Sequence, residues 1–326
     1  MNAPGGHIEP GETPVQAAVR GCIEETGIVP ETPVLKGVLD FPFEDGMHLK
    51  GYVFTSDKFT GTMYPSDEAD PFWCKVSEMP YDRMWEDDRM WLPAGSNNFT
   101  GSFNFAGDSM KDSRLYIFDK PKKVLCYGSS STWGFNWQGG GRLDEETRWP
   151  TVMKKYIPEC FEVIENGVCG RTIGDYMPVK SPTNGIQSLR RVKNLSECDA
   201  VIIMLGNNDT LASPESSVSA IASGLGTMVE IIREQNKNAH IFLASPVPIS
   251  TNCDDKDMFM TFFESQVNKS KALPQEIKKV AEECGCTFIE AGKYVSCDGT
   301  DGIHFSAESN KILAVYMADF LNMENW

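Results

Sequence analysis

Apolar positions along this chain follow two patterns, and the change between them falls near residue 120. Between Val34 and Asp119, short runs alternate apolar with polar positions, as in VLKGVLDFPF, HLKGYVFTS, PFWCKV and DSRLYIFD, with turn-rich connections between them. Such alternation predicts short half-buried strands. Ahead of them, PVQAAVRGCIEET reads as a helix, with Pro14 in its first turn and Gly27 just past its end. Beyond Lys122 the runs VLCYG, FEVIENG, AVIIMLG, HIFLASP and TFIEAG are almost wholly apolar. They alternate with helical segments such as SSVSAIASGLGTMVEIIREQ and AESNKILAVYMADFLNM. Apolar strands separated by helices predict a parallel sheet covered on both faces. The pattern divides the chain into residues 1–118, a polar linker at 119–123 (DKPKK) and residues 124–326.

Composition agrees with two domains. A length of 326 residues exceeds one ordinary domain, and 41% hydrophobic with 23% charged residues is globular. A formal charge of −16 excludes a nucleic-acid partner, because phosphate contact needs a basic patch. It leaves room for a nucleotide held through a divalent cation. No apolar run approaches a membrane span and the first residues are no signal peptide, so no membrane partner is expected. The ten cysteines are scattered without zinc-ligand spacing, which predicts reduced thiols and a cytoplasmic location.

In the second half, the chemistry-bearing residues stand where strands end. KKVLCYG runs into SSSTWG; VIENGVCGRT, VIIMLGNND and CDGTDGIHF follow. In an open parallel sheet, ligands bind at the carboxyl ends of the strands. Ser130 is the candidate nucleophile. His304 has a carboxylate, Asp301, three residues before it in a glycine-containing loop. That spacing lets Asp301 hold the Nδ1 proton while Nε2 faces the serine. YGSSSTWG, RWP (Arg148–Pro150), NGVCGRT, LGNND and DGIHF resemble, in order and spacing, the SGNH (GDSL-type) hydrolases, closest to their arylesterase and acyltransferase branch. That resemblance covers residues 122–326. It implies a flavodoxin-like parallel sheet, ester hydrolysis without a cofactor, and oxyanion contacts from the backbone N–H of Ser130 and Gly170 and the side-chain amide of Asn208. The family has Asp where Ser129 stands.

In the first half, GGHIEPGETPVQAAVRGCIEETGI resembles the Nudix box. Gly6, Glu12, Arg20, Glu24, Glu25 and Gly27 fit, whereas Gly21 stands where the box has a third helical carboxylate. Downstream, YPSDEADPFWCKVSEMPYDRMWEDDRMWLP and FTGSFNFAG narrow the resemblance to the oxidised-purine nucleoside triphosphatases, over residues 2–118. The resemblance implies an α/β/α fold around a mixed sheet, incomplete at its N-terminus because the box begins almost at Met1. It implies Mg²⁺ on Glu12, Glu24, Glu25 and Glu68, and a purine stacked on Trp85 with Asp87, Asp88 and Asn2 at its edge. A tryptophan beside two carboxyl groups suits a base with one apolar face and a polar edge. Gly21 should weaken phosphate chemistry more than binding, and Gly21→Glu should restore it while gaining helix propensity.

The expected function is a serine ester hydrolase acting on short-chain acyl or aryl esters and carrying a weak or inactive nucleotide module. Two alternatives stand beside it: a bifunctional enzyme that also performs Mg²⁺-dependent hydrolysis of oxidised purine triphosphates, and a first domain that only senses a nucleotide or serves structure. The expected partners are a small ester and a purine nucleoside triphosphate, with homo-oligomerisation left open.

Overall fold

The structure is a computed structural model that describes residues 1–174, 180–250 and 264–324. Chain contacts divide it into two compact units: Met1–Pro121 with Lys154–Phe161 and Met317–Trp326, and Lys122–Met153 with Glu162–Tyr316.

The first unit opens with helix α1 (Pro14–Thr26), which Thr13 caps reciprocally with Gln16 and which ends on Gly27 in the left-handed region. Strands β1 (Ile28–Glu31) and β4 (Lys58–Gly61) form an antiparallel pair. A second, mixed sheet orders its strands β3 (His48–Thr55), β2 (Val34–Pro42), β5 (Asn98–Ala106) and β6 (Ser109–Phe118). Its β2–β5 pair is parallel and the other two pairs are antiparallel. Leu39, Phe99, Phe103 and Phe105 bury their side chains together beneath it, beside the short helix α2 (Asp88–Trp91). One expected strand is absent. PFWCKV has no ladder partner and runs irregularly into a 3-10 turn at Val76–Glu78, with Phe72 and Trp73 exposed. Its alternating pattern had no second strand to bury against.

The second unit is a five-stranded parallel sheet ordered β11 (Thr287–Glu290), β10 (His240–Ser245), β9 (Ala200–Met204), β7 (Lys122–Gly128) and β8 (Phe161–Gly167). Every apolar run predicted as a strand here is one. The order places β7 between its successor β8 on one side and β9 on the other, so the winding direction reverses at the β7–β9 edge. A crevice opens at that reversal, beyond the strand carboxyl ends. Short helices α3 (Ser130–Trp133), α4 (Trp149–Val152), α5 (Gly185–Leu189) and α6 (Asn207–Ala212) follow the strands. The longer α7 (Val218–Gln235), the helix Glu264–Cys284 and the helix Ala307–Met323 come after them. Strand residues Leu125, Val201, Ile203 and Leu243 share one buried core with Leu225, Met228, Ile232 and Ile277 of the helices. That core holds the strand ends, and thus the loops, in register.

Candidate active site

Ser130 stands where β7 gives way to α3, at the reversal point. The Ser129 carbonyl accepts from the Thr132 and Trp133 N–H groups, which turns the chain sharply and lifts Ser130 above the sheet. Ser130 Oγ lies 2.7 Å from His304 Nε2. On the other side of the ring, His304 Nδ1 is 2.5 Å from Asp301 Oδ2. The remaining oxygen of Asp301 accepts from the backbone N–H of Ile303 at 2.9 Å and of His304 at 3.0 Å. Asp301 is 5% exposed and His304 8%. Burial pushes the Asp301 carboxyl up, but the bonds from the His304 ring and from the two N–H groups outweigh it and hold the group below the usual carboxylate range. The carboxylate is therefore ionised and fixes the imidazole tautomer that offers Nε2 to the serine. Phe135 closes over the ring, with centroids 4.6 Å apart.

Of the residues implied as oxyanion donors, Ser130 and Asn208 line the same crevice. Asn208, in the first turn of α6 beyond β9, donates one amide hydrogen to the Arg171 carbonyl at 2.9 Å. Its second amide hydrogen remains for a ligand. Gly170 has φ +75°, a conformation that favours glycine, and a Cβ there would meet nothing closer than 3.8 Å. Its backbone angle rather than space selects the residue. Among the described residues, neither the Ser130 nor the Gly170 N–H donates to a protein acceptor. The crevice at Ser130 and Asn208 is bordered by Ser129, Ser131, Asn207, Pro246, Val247 and Phe305.

Asp209 shows what the motif alone conceals. Asp209, beside Asn208 and fully buried, accepts from the N–H groups of Ile173 and Gly174 at 2.9 Å. It thus ties down the segment that carries Gly170. Burial pushes its carboxyl up to about 6 against these hydrogen bonds. Arg148 of the RWP motif is likewise structural, forking onto Glu165 at 2.8 and 3.0 Å.

The residues implied as a metal site in the first unit are arranged differently. Arg20 bonds both oxygens of Glu12, at 2.8 and 2.9 Å, and reaches Glu24 at 3.0 Å. The Arg20 hydrogen bonds draw the Glu12 carboxyl down to about 2. Glu25 accepts from the Gly5 N–H at 3.3 Å, while Ser66, bonded to the Glu25 carbonyl, carries the exposed Glu68 nearby. Magnesium needs several oxygens turned to one point. Among the described residues, no three His, Cys, Asp or Glu side chains are gathered that way. As placed, the residues do not fit the ion.

Gly21 overturns the expectation of a simple lost ligand. It is buried, and a Cβ there would lie 2.5 Å from the Gly5 carbonyl carbon and 2.8 Å from the Gly6 nitrogen. The Gly5–Gly6 backbone occupies the space a side chain would need, so Gly21→Glu cannot restore a carboxylate without displacing it.

The residues implied as base contacts do come together. Trp85 is 40% exposed and packs edge-on against Phe105 at 5.4 Å. Asp88 accepts from the Trp85 N–H at 3.0 Å and Asp87 from the Trp91 indole at 2.8 Å. Burial, together with the neighbouring Asp87 charge, raises the Asp88 carboxyl to about 6; burial likewise raises Asp87. The Met1 ammonium donates to the Arg83 carbonyl at 3.4 Å, which brings the exposed Asn2 beside this loop.

Comparison with known proteins bears on both units. A model of the GDSL-like lipase/acylhydrolase family matches residues 126–312, and one of the NUDIX domain matches residues 1–95. Over 109 residues the chain is 35% identical to the oxidized purine nucleoside triphosphate hydrolase of Danio rerio, covering 32% of this chain and 70% of that protein. A carbohydrate acetylesterase family member from Sinorhizobium meliloti superposes with a TM-score of 0.57 at 28% identity, over 62% of this chain and 98% of its own. The native aryl esterase of M. smegmatis does so with a TM-score of 0.54 at 30% identity, over 61% of this chain and 98% of its own. The chain therefore belongs to the GDSL-like lipase/acylhydrolase family, its esterase domain carrying the Ser130–His304 pair and a Nudix domain preceding it.

Proposed function

We propose that the protein is a serine hydrolase of short-chain acyl or aryl esters, and that the observation carrying this reading is the 2.7 Å contact between Ser130 Oγ and His304 Nε2 backed by Asp301. Ser130 Oγ attacks the ester carbonyl while His304 Nε2 takes its proton. Asp301 holds the other ring proton and stabilises the imidazolium. The negative charge that develops on the carbonyl oxygen meets the N–H groups of Ser130 and Gly170 and the free amide hydrogen of Asn208. Collapse of the tetrahedral intermediate breaks the ester C–O bond, and His304 returns its proton to the departing alcohol. A water molecule, deprotonated by His304, then releases the acid and regenerates Ser130. The small, partly polar crevice favours short acyl groups, and the likeness to a carbohydrate acetylesterase family member and an aryl esterase points the same way. The test is hydrolysis of 4-nitrophenyl acetate without added metal. Turnover should be lost in Ser130→Ala; turnover retained by a folded Ser130→Ala would reject the reading.

For the Nudix domain the reading is a nucleotide-binding module of weak or no hydrolytic activity. Arg20 engages two of the carboxylates that would hold magnesium, while Trp85, Asp87 and Asp88 keep the features of a purine site. Equilibrium binding of 8-oxo-dGTP with and without Mg²⁺, followed by assay for product, tests it. Rapid Mg²⁺-dependent hydrolysis would show that the domain is a working phosphohydrolase.

A further inference from the structure

Arg171 has no place in the chemistry described above, yet it bonds segments next to each part of the proposed oxyanion site. The residue is 2% exposed. Its guanidinium donates to the Gly128 carbonyl at 3.1 Å, two residues before the nucleophile, and to the backbone and side-chain oxygens of Asn166 at 2.5 and 2.9 Å. A longer bond of 3.3 Å reaches the Pro182 carbonyl. The guanidinium carbon sits 4.0 Å over the ring of the buried Tyr127, on the strand that delivers Ser130. Its backbone completes the set: the Arg171 N–H closes a turn onto Val168 at 3.1 Å, its carbonyl takes the Asn208 amide at 2.9 Å, and Gly170 is its immediate neighbour.

The partners are all neutral. Among the described residues no carboxylate pairs with Arg171, although a buried ion ordinarily has a counter-charge because desolvation is otherwise uncompensated. Burial here pushes the guanidinium pKa down, and arginine still keeps its proton. A buried cation held only by carbonyls and a ring costs stability in the resting state. It regains that cost when a negative charge appears nearby. The charge that appears in ester hydrolysis is the oxyanion, formed at donors that neighbour the Gly128 and Asn166 backbone this side chain holds.

We propose that Arg171 is a positioning residue for the ester reaction: its guanidinium fixes the end of the strand that leads to Ser130 against the segment that carries Gly170, its carbonyl holds Asn208, and its charge, without a carboxylate partner among the described residues, favours the tetrahedral intermediate over the bound ester. The inference rests on the esterase reading. Its distinguishing feature is selectivity for the transition state, so a loss should fall on kcat and leave KM nearly unchanged.

The experiment compares wild type, Arg171→Lys and Arg171→Met in 4-nitrophenyl acetate hydrolysis, with thermal melting to confirm folding and Ser130→Ala as the reference. Arg171→Met should lose roughly 10²-fold in kcat with KM within about threefold, on the scale of a lost oxyanion donor. Arg171→Lys, which keeps the charge but not the fork, should recover part of that loss. Affinity for a trifluoromethyl ketone, whose hydroxyl adduct carries the oxyanion, should fall in step with kcat. Asn208→Ala added to Arg171→Lys should cost little more than Asn208→Ala alone, because the two serve one unit. If Arg171→Met does not fold, the Lys variant and its ketone affinity decide. A folded Arg171→Lys with unchanged kcat, or a loss confined to KM, overturns the proposal. Ser130→Ala separates the levels: if it is inactive while the Arg171 variants match wild type, only this inference falls; if it stays active, the esterase reading falls first.

Discussion

Two motif-bearing sites occur in this chain, and they put their polar side chains to opposite uses. At the esterase crevice, each polar group has one partner that fixes it and one face turned to where a substrate would lie: His304 has Asp301 behind and Ser130 in front, and Asn208 has the Arg171 carbonyl behind and a free hydrogen in front. At helix α1 the carboxylates are taken up by protein partners, Glu12 and Glu24 by Arg20 and Glu25 by the Gly5 N–H. A motif supplies residue types at a spacing. Function depends on what the surrounding chain leaves those groups free to do, and that is decided by neighbours remote in sequence.

The comparison breaks most sharply at Ser130. Ser130→Ala should lower ester turnover on the order of 10⁴-fold or more, His304→Ala should match it, and the double variant should be scarcely worse, as members of one catalytic unit behave. Initial rates on 4-nitrophenyl acetate measure this. Asn208→Ala should cost on the order of 10²- to 10³-fold in kcat if its free hydrogen meets the oxyanion. A loss under threefold would leave the amide with its Arg171 contact alone.

The N-terminal half of the comparison turns on Gly21. With the Gly5 carbonyl carbon 2.5 Å from where a Cβ would stand, Gly21→Glu should give no gain in Mg²⁺-dependent product release from 8-oxo-dGTP. It should destabilise the domain by roughly 1–3 kcal/mol, the usual cost of overpacking. Denaturant melts and a phosphate-release assay check both halves, and a gain in hydrolysis with unchanged stability would return Gly21 to the role of a lost ligand.

The smallest effect is a pH dependence at Asp209. Burial pushes its carboxyl in the folded chain up to about 6 from the ordinary aspartate value of 3.8, so between these values the native state binds the proton more tightly than the unfolded chain. Its contribution is fully present below the lower value and is lost as pH rises through the upper one. Asp209→Asn removes this titration, so wild type should lose up to about 1.4 kcal/mol per pH unit relative to the variant over that window. Equal pH slopes in urea melts of the two proteins would contradict the burial argument.

The legible parts of the sequence were those set by local pattern. The five apolar runs of the second half are strands because a parallel sheet covered on both faces demands continuous apolar side chains. Asp301 and His304, three residues apart, meet within one loop. What the sequence concealed depended on long-range packing. PFWCKV alternates like a strand but found no ladder partner. The Arg20 fork onto Glu12 and Glu24 and the clash waiting at Gly21 follow from how the Gly5–Gly6 segment folds back on α1. Arg171 and Asp209 stand inside quoted motifs, yet their partners, Gly128, Asn166, Ile173 and Gly174, lie on other loops. One signal was available: an arginine directly after the implied oxyanion glycine, in a run with no acidic neighbour on either side.

The central claim is that Ser130, and neither of the serines beside it, is the nucleophile of the esterase crevice. The most direct measurement is reaction of the intact chain with a fluorophosphonate, read by whole-protein and peptide mass spectrometry alongside residual ester hydrolysis. The account predicts one adduct per chain, on Ser130, forming in step with the loss of activity and absent in His304→Ala. An adduct on Ser129 or Ser131, or full ester hydrolysis by a chain labelled at Ser130, would contradict it.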